Sequence, residues 1–284
     1  MLPLKVSRGN LPGWATRIQV RAHYVEPRIA LLPRHEIIHI GCAGWNIPRQ
    51  SSAHFELDGS HLERYSRTFN CCEINSSFYR PHKISSWERW SASVPKDFRF
   101  SVKVPRTITH EVELKCSLGD LTAFLKQVRF LGQKLGVLLV QLPPRCVFDY
   151  LIAKRFFVLF RELHDGDVVL EARHITWFDA RTDDLLKQFR IAGVAADPAC
   201  VPVAGEPTGY GQVAYFRLHG SPRRYYSSYS GEFLNAMATR LADVARKARV
   251  WCIFDNTAAG FAISNALQLN EEIGKGKTER ATKY

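Results

Sequence analysis

Charged and polar side chains recur at alternate positions near the ends of several short apolar segments. In the second of these segments Glu73, Asn75 and Ser77 alternate with apolar residues. Alternate side chains of a β-strand point to one face, so the polar set shares one side of the strand. Residues of this kind act as general acids, bases or nucleophiles. The catalytic candidates are Glu73, Lys103, Glu171, Asp197, His219 and Asp255.

A second set of polar and aromatic residues follows the same segments and suits ligand recognition. The stretch S-P-R-R-Y-Y-S-S-Y-S at residues 221–230 is basic and aromatic, which is typical of loops that contact phosphates, bases or sugars. Glycine-bearing turns after the last two segments present backbone N–H groups, which also bind phosphate. The predicted substrate-binding residues are His110, Gln141, Arg173, His174, Trp177, Arg217, Gly220, Arg223, Arg224, Tyr226 and Asn256.

These side chains need a scaffold, and the hydrophobic pattern predicts a repetitive one. From residue 37 onward, short apolar runs alternate with amphipathic helical periods, which is typical of β-α units and a parallel sheet. We therefore predict an α/β fold of the TIM-type (β/α)8 barrel class, with catalytic residues at the carboxyl ends of its strands. Segment 198–211 is rich in Pro and Gly, so an irregular sixth crossover is expected. The predicted strands are 37–41, 71–77, 98–104, 136–142, 167–173, 191–197, 214–220 and 250–256.

The charge distribution divides the chain into three parts. Residues 1–35 contain six basic side chains against one acidic side chain and no strong hydrophobic period, so we predict a basic, disordered N-terminal arm. Residues 36–270 form the predicted barrel domain, because about 250 residues suffice for one closed α/β barrel. Residues 271–284 form a predicted charged C-terminal tail.

Composition limits the classes of partner. The net charge of +12 favours anionic partners, namely a small phosphorylated molecule or nucleic acid. No apolar stretch approaches the roughly 18 residues of a membrane span, and no secretory signal precedes the first strand. The seven cysteines include no C-x-x-C pair and read as small buried apolar groups. We expect a cytoplasmic protein without a membrane partner; the oligomeric state is open.

Seven short motifs in a fixed order resemble one family. They are G-C-A-G-W at residues 41–45, E-I-N-S-S-F-Y-R at 73–80, I-T-H at 108–110, Q-L-P-P at 141–144, E-A-R-H-I-T-W-F at 171–178, R-L-H-G at 217–220 and F-D-N at 254–256. The set resembles the YecE-like family, domain of unknown function 72, over about residues 37–268. The resemblance implies a TIM-type barrel similar in architecture to endonuclease IV and xylose-isomerase-like barrels, and it implies no established activity. The family's usual F-N-N is here F-D-N, with Asp255 in place of the first Asn.

Three hypotheses for the site follow from these residues. The main one is a metal-independent enzyme that acts on a phosphorylated or phosphodiester-containing substrate, with no cofactor and no bound metal. Its basis is charge balance, because Lys103, Arg173 and Arg217 are expected to neutralise most of the inward carboxylates, Glu171 and Asp197 among them.

The first alternative is a metal-dependent sugar isomerase or epimerase. It uses Glu171, Asp197, His219 and Asp255, a set of hard oxygens plus one imidazole that suits Mn, Mg or Zn. The second alternative is a nucleic-acid- or glycan-binding module without catalysis, in which the aromatic and basic loop after the seventh strand holds the ligand. In that case both Arg223 and Arg224 are expected to contact phosphate.

Overall fold

The computed structural model describes residues 38–281, so the basic arm predicted for residues 1–35 lies outside the described part. The strands are β1 (Ile38–Cys42), β2 (Cys71–Ile74), β3 (Arg99–Lys103), β4 (Leu135–Gln141), β5 (Asp167–Glu171), β6 (Ile191–Gly193), β7 (Ala195–Asp197), β8 (Thr208–Gly209), β9 (Val213–Leu218) and β10 (Arg249–Phe254). Each of the eight predicted segments overlaps an observed strand, and the sixth overlaps two strands because the ladder is interrupted at Val194.

Helices alternate with these strands. They are α1 (His61–Thr68), α2 (Ile84–Ala92), α3 (Leu118–Val128), α4 (Tyr150–Leu163), α5 (Ala180–Gln188), α6 (Gly231–Val244) and α7 (Phe261–Ala281). Local sequence explains where several begin, since Ser60 with Glu63 and Ser117 with Asp120 form capping boxes that satisfy the first free N–H groups of α1 and α3. None of the helices between residues 38 and 281 combines the length and apolarity that a membrane span needs.

The strands form an α/β fold with two sheets. One has the order β1-β10-β9-β7, and the other has the order β2-β3-β4-β5-β6-β8. All pairings are parallel except that of β8 with β6. The strands predicted to form one continuous sheet are thus observed in two sheets. Between β1 and β2 there is only a single bridge, from Ala43 to Glu73, and no continuous ladder.

The sixth crossover is irregular, as predicted. After β7 the chain forms a 3-10 turn (Pro202–Gly205) and the two-residue β8 instead of an α-helix. Proline and glycine explain this, because Pro lacks the N–H that a helix needs and Gly loses the most conformational freedom on becoming helical. The tail predicted from residue 271 shows no break there, since α7 continues to Ala281.

Two apolar clusters lie on opposite faces of the sheets. The larger lies between sheets and helices and includes Phe156, Phe157 and Phe160 of α4. The smaller lies between the sheets and combines alternate residues of both, including Val137 and Leu139 of β4 with Trp251 and Ile253 of β10. The two sheets therefore face each other across a shared interior, and residues further along the same strand faces form the site described next.

Candidate functional site

Arg217 occupies the centre of a buried charged cluster. β9 carries it at an interior position, where its side chain is 0% exposed. Its guanidinium contacts Glu73 at two points, with Nε 3.0 Å from Oε2 and Nη2 2.7 Å from Oε1. The same group lies 3.2 Å from Glu171 Oε2 and 3.1 Å from Asp255 Oδ2. One arginine thus joins three carboxylates from β2, β5 and the end of β10.

His219, just after β9, bridges two of the same carboxylates. Its Nδ1 lies 2.9 Å from Asp255 Oδ2, and its Nε2 lies 2.9 Å from Glu171 Oε1. Because a carboxylate only accepts hydrogen bonds, both contacts are satisfied when both ring nitrogens carry a proton. Burial alone would raise the pKa of Asp255, but the charges of Arg217 and the contact with His219 outweigh burial and lower it.

Glu171 is held in its ionised form by several donors. Arg173 Nε lies 2.9 Å from its Oε1, and Gln141 Nε2 donates to its Oε2 at 2.8 Å. The second contact follows from strand register, which sets Gln141 opposite Glu171. Burial would raise the pKa of this carboxyl, but His219, Arg173 and Arg217 outweigh it and hold the pKa well below its usual range. Glu171 is therefore a poor proton acceptor at neutral pH.

Tyr215 and Ser101 complete the cluster beneath Glu73, and neither was among the predicted site residues. The Tyr215 hydroxyl donates to Glu73 Oε2 at 2.9 Å and lies 2.9 Å from Ser101 Oγ. Burial and the nearby Glu73 charge raise the pKa of this phenol. One feature of the sequence indicates that Tyr215 belongs to the site. Tyr215 lies two residues before Arg217, so the two side chains share one strand face.

Lys103, the last residue of β3, forms no ion pair with the carboxylates of the cluster. It is 5% exposed, and its Nζ has no carboxylate within 4 Å and no hydrogen-bond acceptor among the described residues. Its contact is with the ring of Phe78, whose centroid lies 4.1 Å from Nζ. Burial and the positive charge of Arg217 lower the pKa of Lys103 to about 8, against the opposing pull of the carboxylates.

His110 lies on the same phenylalanine. Its ring centroid is 4.8 Å from that of Phe78, in an edge-to-face arrangement. Burial, followed by the charges of Lys103 and Arg173, lowers the pKa of His110 to about 4, so the ring is neutral at physiological pH. Thr109 Oγ1 lies 2.9 Å from Nδ1 of this ring.

Tyr225 covers His219; it belongs to the basic and aromatic loop predicted for ligand recognition but was not among the predicted site residues. Its ring meets that of His219 edge-on, with 5.8 Å between centroids, and its backbone N–H donates to His219 O. Tyr225 has a φ of 68°, a left-handed conformation that L-residues with large side chains rarely adopt. Backbone strain of this kind costs about 1–3 kcal/mol and persists where surrounding contacts enforce it. Gly220 at the start of the same loop has a φ of 91°, and its N–H donates to the Tyr229 hydroxyl at 2.8 Å.

Asp197 is placed differently from the prediction. Its carboxylate accepts a hydrogen bond from the Tyr229 hydroxyl at 2.8 Å and forms no ion pair with Arg217 or Arg173. The interior positions of this segment belong to Ala192 and Val194, so Asp197 lies on the opposite face. The prediction assigned the wrong set of alternate residues to the interior, because the small side chains of Ala192, Ala195 and Ala196 leave no amphipathic signal.

Three predicted substrate-binding residues serve other contacts. His174 caps the turn before α5 through Thr176, with Nδ1 2.9 Å from Oγ1. Trp177 is buried, and its Nε1 donates to Cys146 O at 2.9 Å. Asn256 is buried, with Nδ2 donating to Ser227 O and to Asn265 Oδ1, both at 2.9 Å. These contacts hold loops in place and do not join the charged cluster.

The two arginines of the loop after β9 point in different directions. Arg223 lies over the exposed ring of Tyr226, 4.1 Å from its centroid. Arg224 donates to Pro198 O at 3.1 Å and lines a small cavity together with Glu171 and His219. The sequence predicted equal roles for the two, whereas only Arg224 lies beside the cluster.

The cavity at the cluster is small, with a volume of about 10 Å³, which is room for roughly one water molecule. A cavity of about 800 Å³ lies elsewhere, between α5, α6 and the irregular sixth crossover, and its lining is mainly apolar. Trp177 lines that larger cavity. The small cavity is lined by Glu171, Arg173, His219 and Arg224 and therefore adjoins one side of the charged cluster. A ligand larger than water must displace the loop that carries Arg224.

The metal ligands of the isomerase hypothesis do not converge. Asp197 lies on the other strand face, and Glu171 and Asp255 both contact Arg217. Within residues 38–281, no group of three or more His, Cys, Asp and Glu side chains has an arrangement that would hold a metal ion.

These observations define an α/β protein whose facing sheets enclose a charged cluster at the carboxyl ends of the strands. A sequence model described as "Protein of unknown function DUF72" matches residues 39–283, and the chain belongs to this family.

Among curated relatives, the chain is similar to the UPF0759 protein YecE of Escherichia coli (strain K12), with 35% identity over 107 residues. That match spans 38% of each chain, so it covers well under half of the relative. The UPF0759 protein YunF of Bacillus subtilis (strain 168) is 24% identical over 83% of this chain and 94% of its own length.

Solved structures of the family share the fold. A DUF72 family protein of Thermotoga maritima MSB8 superposes with a TM-score of 0.70 at 24% identity, over 84% of this chain and 99% of that one. A DUF72 family protein of Enterococcus faecalis V583 gives a TM-score of 0.70 at 19% identity, over 84% of this chain and 95% of that one.

Proposed function

We propose that this protein is an enzyme that works without a metal ion on a small phosphate-bearing substrate, at the carboxyl ends of its strands. One observation carries the proposal: Lys103 is a buried cation without a carboxylate partner, in a cluster whose carboxylates are all engaged by other cations. Glu73, Glu171 and Asp255 are paired with Arg217, Arg173 and His219, so the charge of Lys103 is not offset by a direct contact. A buried cation of this kind favours an anionic ligand.

We further propose that the two sheets close into one TIM-type barrel around this cluster. The single bridge between Ala43 and Glu73, reinforced by the hydrogen bond from Gly44 N to Glu73 O at 2.9 Å, supports closure on one side. On the other side, β6 pairs with β5 while the adjoining β7 pairs with β9, which supports closure through residues 191–197. Catalytic groups of such barrels gather at the carboxyl ends of the strands, where this cluster lies.

The division of labour within the site follows from the charges. Arg217 helps to lower the pKa of Glu171 and of Asp255, so these two carboxylates position other groups and do not exchange protons near neutral pH. Lys103 has a pKa of about 8 and can release or accept a proton in that range. Arg224 at the cavity wall supplies a contact for phosphate, since guanidinium groups bind phosphate through charge-assisted hydrogen bonds.

Calorimetric titration with inorganic phosphate and with glycerol 3-phosphate tests the proposal. The wild-type protein is expected to bind both, and Lys103→Met is expected to reduce the affinity roughly tenfold, the effect of losing one charged contact. Lys126→Met, on the exposed face of α3, is the matched control and is expected to bind as the wild type does.

Equal affinity for Lys103→Met and the wild-type protein would contradict the proposal. Elemental analysis of the purified protein is expected to find no stoichiometric Mn, Zn or Mg. A stoichiometric metal that is lost in His219→Ala would replace this proposal with the isomerase hypothesis. Binding of oligonucleotides unaffected by Lys103→Met, without phosphate binding, would favour the binding-module hypothesis.

A further inference from the structure

Lys103 differs from the paired lysines at the surface of the protein. Lys187 lies within hydrogen-bonding distance of Asp183, and Lys275 lies 2.8 Å from Glu272. Lys103 is buried, without such a partner, against the apolar ring of Phe78. A lysine that is desolvated and placed near another cation is the arrangement that makes an amine nucleophilic at neutral pH.

We propose that Lys103 Nζ forms an imine with an aldehyde or ketone that also carries a phosphate or carboxylate group. The inference rests on the proposed function and narrows its substrate class to carbonyl compounds. An anionic group on the substrate is attracted by the cations of the cluster, and Arg173 and Arg224 line the cavity at its side.

The bond changes balance without an oxidant or a reductant. The lone pair of the neutral amine attacks the carbonyl carbon, a C–N bond forms, and the carbonyl oxygen takes up a proton to give a carbinolamine. The nitrogen loses a proton, the hydroxyl group takes up a proton and leaves as water, and a protonated imine remains. Hydrolysis reverses each step and returns the free amine.

We assign the proton transfers of this sequence to His110, which packs against the same Phe78 ring as Lys103. The Thr109 hydroxyl donates its only hydrogen to Pro105 O at 3.1 Å, so it accepts from His110 Nδ1–H. That contact leaves Nε2 as a free acceptor on a neutral ring, which lies against the same Phe78 that Lys103 contacts. Thr109 is fully buried and acts as a positioning residue, because it sets the tautomer of His110.

The amine becomes available as the pH rises. Lys103 lies near both positive and negative groups. Burial and the charge of Arg217 lower its pKa to about 8, while the carboxylates act in the opposite direction. The charged and titratable groups near it are Arg217, Glu73, Glu171, Asp255 and His110. Imine formation is therefore expected to increase with pH through about 8 and then level off.

Reductive trapping on the whole protein tests this inference. The protein is incubated at pH 7.5 with sodium cyanoborohydride and one of three probes: dihydroxyacetone phosphate, pyruvate or uncharged dihydroxyacetone. Intact mass and peptide mass spectrometry then count and locate the adducts. We expect one adduct, at Lys103, at least tenfold more abundant with at least one of the two charged probes than with dihydroxyacetone.

Three further measurements test the assignment of the adduct. Lys103→Met is expected to lose the adduct, whereas Lys126→Met is expected to keep it, and circular dichroism checks that both fold. Trapping by the wild-type protein across pH 6–9.5 needs no variant and is expected to rise with a midpoint near 8. His110→Gln is expected to slow trapping.

The outcomes separate this inference from the proposed function. Adducts spread over surface lysines, or retained in Lys103→Met, would overturn the imine. Absence of an adduct with either charged probe, in a protein that binds inorganic phosphate through Lys103, would overturn the imine and leave the proposed function standing. Absence of the adduct together with absence of phosphate binding would overturn both the imine and the proposed function.

Discussion

The space between the two sheets has two halves with opposite chemistry and nearly equal burial. The apolar half, at the amino ends of the strands, comprises Val137, Leu139, Val169, Trp251 and Ile253. The charged half, at the carboxyl ends, comprises Glu73, Lys103, Glu171, Arg217, His219 and Asp255. Every one of these residues is at most 5% exposed, so burial does not distinguish the halves.

The difference between the halves indicates what each is for. Apolar side chains gain stability from burial, whereas buried charges cost desolvation energy that their pairing offsets only in part. Along β4 and β5 the change occurs between Leu139 and Gln141 and between Val169 and Glu171, one interior position apart in each case. A charged half that adjoins a well-packed apolar half is retained at an energetic cost, and we attribute that cost to function.

The largest expected effect comes from removing the central cation of the charged half. Arg217→Met leaves Glu73, Glu171 and Asp255 buried without their shared partner, and we expect a loss of about 3–5 kcal/mol in the free energy of unfolding. Urea denaturation measures it, with the exposed Arg89→Met as a control that is expected to change stability by less than about 0.5 kcal/mol. A loss below about 1 kcal/mol in Arg217→Met would show that the carboxylates are stable without it.

A truncation in the apolar half is expected to separate stability from binding. Leu139→Ala leaves a cavity at a fully buried position and is expected to cost about 2–5 kcal/mol of unfolding free energy. Phosphate affinity, measured by calorimetry at a temperature where the variant is folded, is expected to stay at the wild-type value. A matching loss of affinity would mean that the two halves are not independent.

Acid sensitivity provides a third comparison, through His39 in the apolar half. His39 packs against Trp251 with 4.4 Å between ring centroids, and burial, followed by Arg99 and Arg249, lowers its pKa to about 4 from an ordinary 6.5. As the pH falls, the unfolded chain therefore takes up the proton first. The neutral His39 ring therefore contributes a stabilisation of the folded state that is fully present above about pH 6.5 and is lost as the pH falls towards 4.

Unfolding measurements at pH 7 and pH 5 test this linkage. The wild-type protein is expected to lose about 2 kcal/mol more than His39→Phe does over this interval, from the separation of the two pKa values. An equal loss in both proteins would show that His39 titrates normally in the folded state.

The smallest expected effect compares two neighbouring arginines at the rim of the charged half. Arg224→Ala is expected to weaken phosphate binding roughly tenfold, because Arg224 lines the cavity beside His219. Arg223→Ala is expected to leave it unchanged, because Arg223 lies over the exposed Tyr226 ring. Equal effects of the two substitutions on calorimetric affinity would contradict the assignment of the cavity wall.

Sequence reasoning succeeded where a strand carries a strong alternation. Arg217 in β9 and His219 just after it are two residues apart and alternate with apolar neighbours. Both side chains lie in the cluster. The orientation of Asp197 was predicted wrongly because its strand is built from small residues. The contact of Tyr225 with His219 was not predicted because a strained loop conformation leaves no periodic signal. Individual pairings were also beyond prediction, since Tyr215 and Glu73 are 142 residues apart and meet only through the packing of two sheets.

The central claim is that Lys103 is a cation without a carboxylate partner, and its own titration tests this most directly. Nuclear magnetic resonance of protein labelled with 13C at the lysine ε-carbon follows each lysine from pH 6 to pH 11, and Lys103→Met assigns the signal. We expect a pKa of about 8 for Lys103 in the free protein, and a rise when inorganic phosphate binds and stabilises the charged form. A pKa near the ordinary 10.5 that does not respond to phosphate would contradict the account.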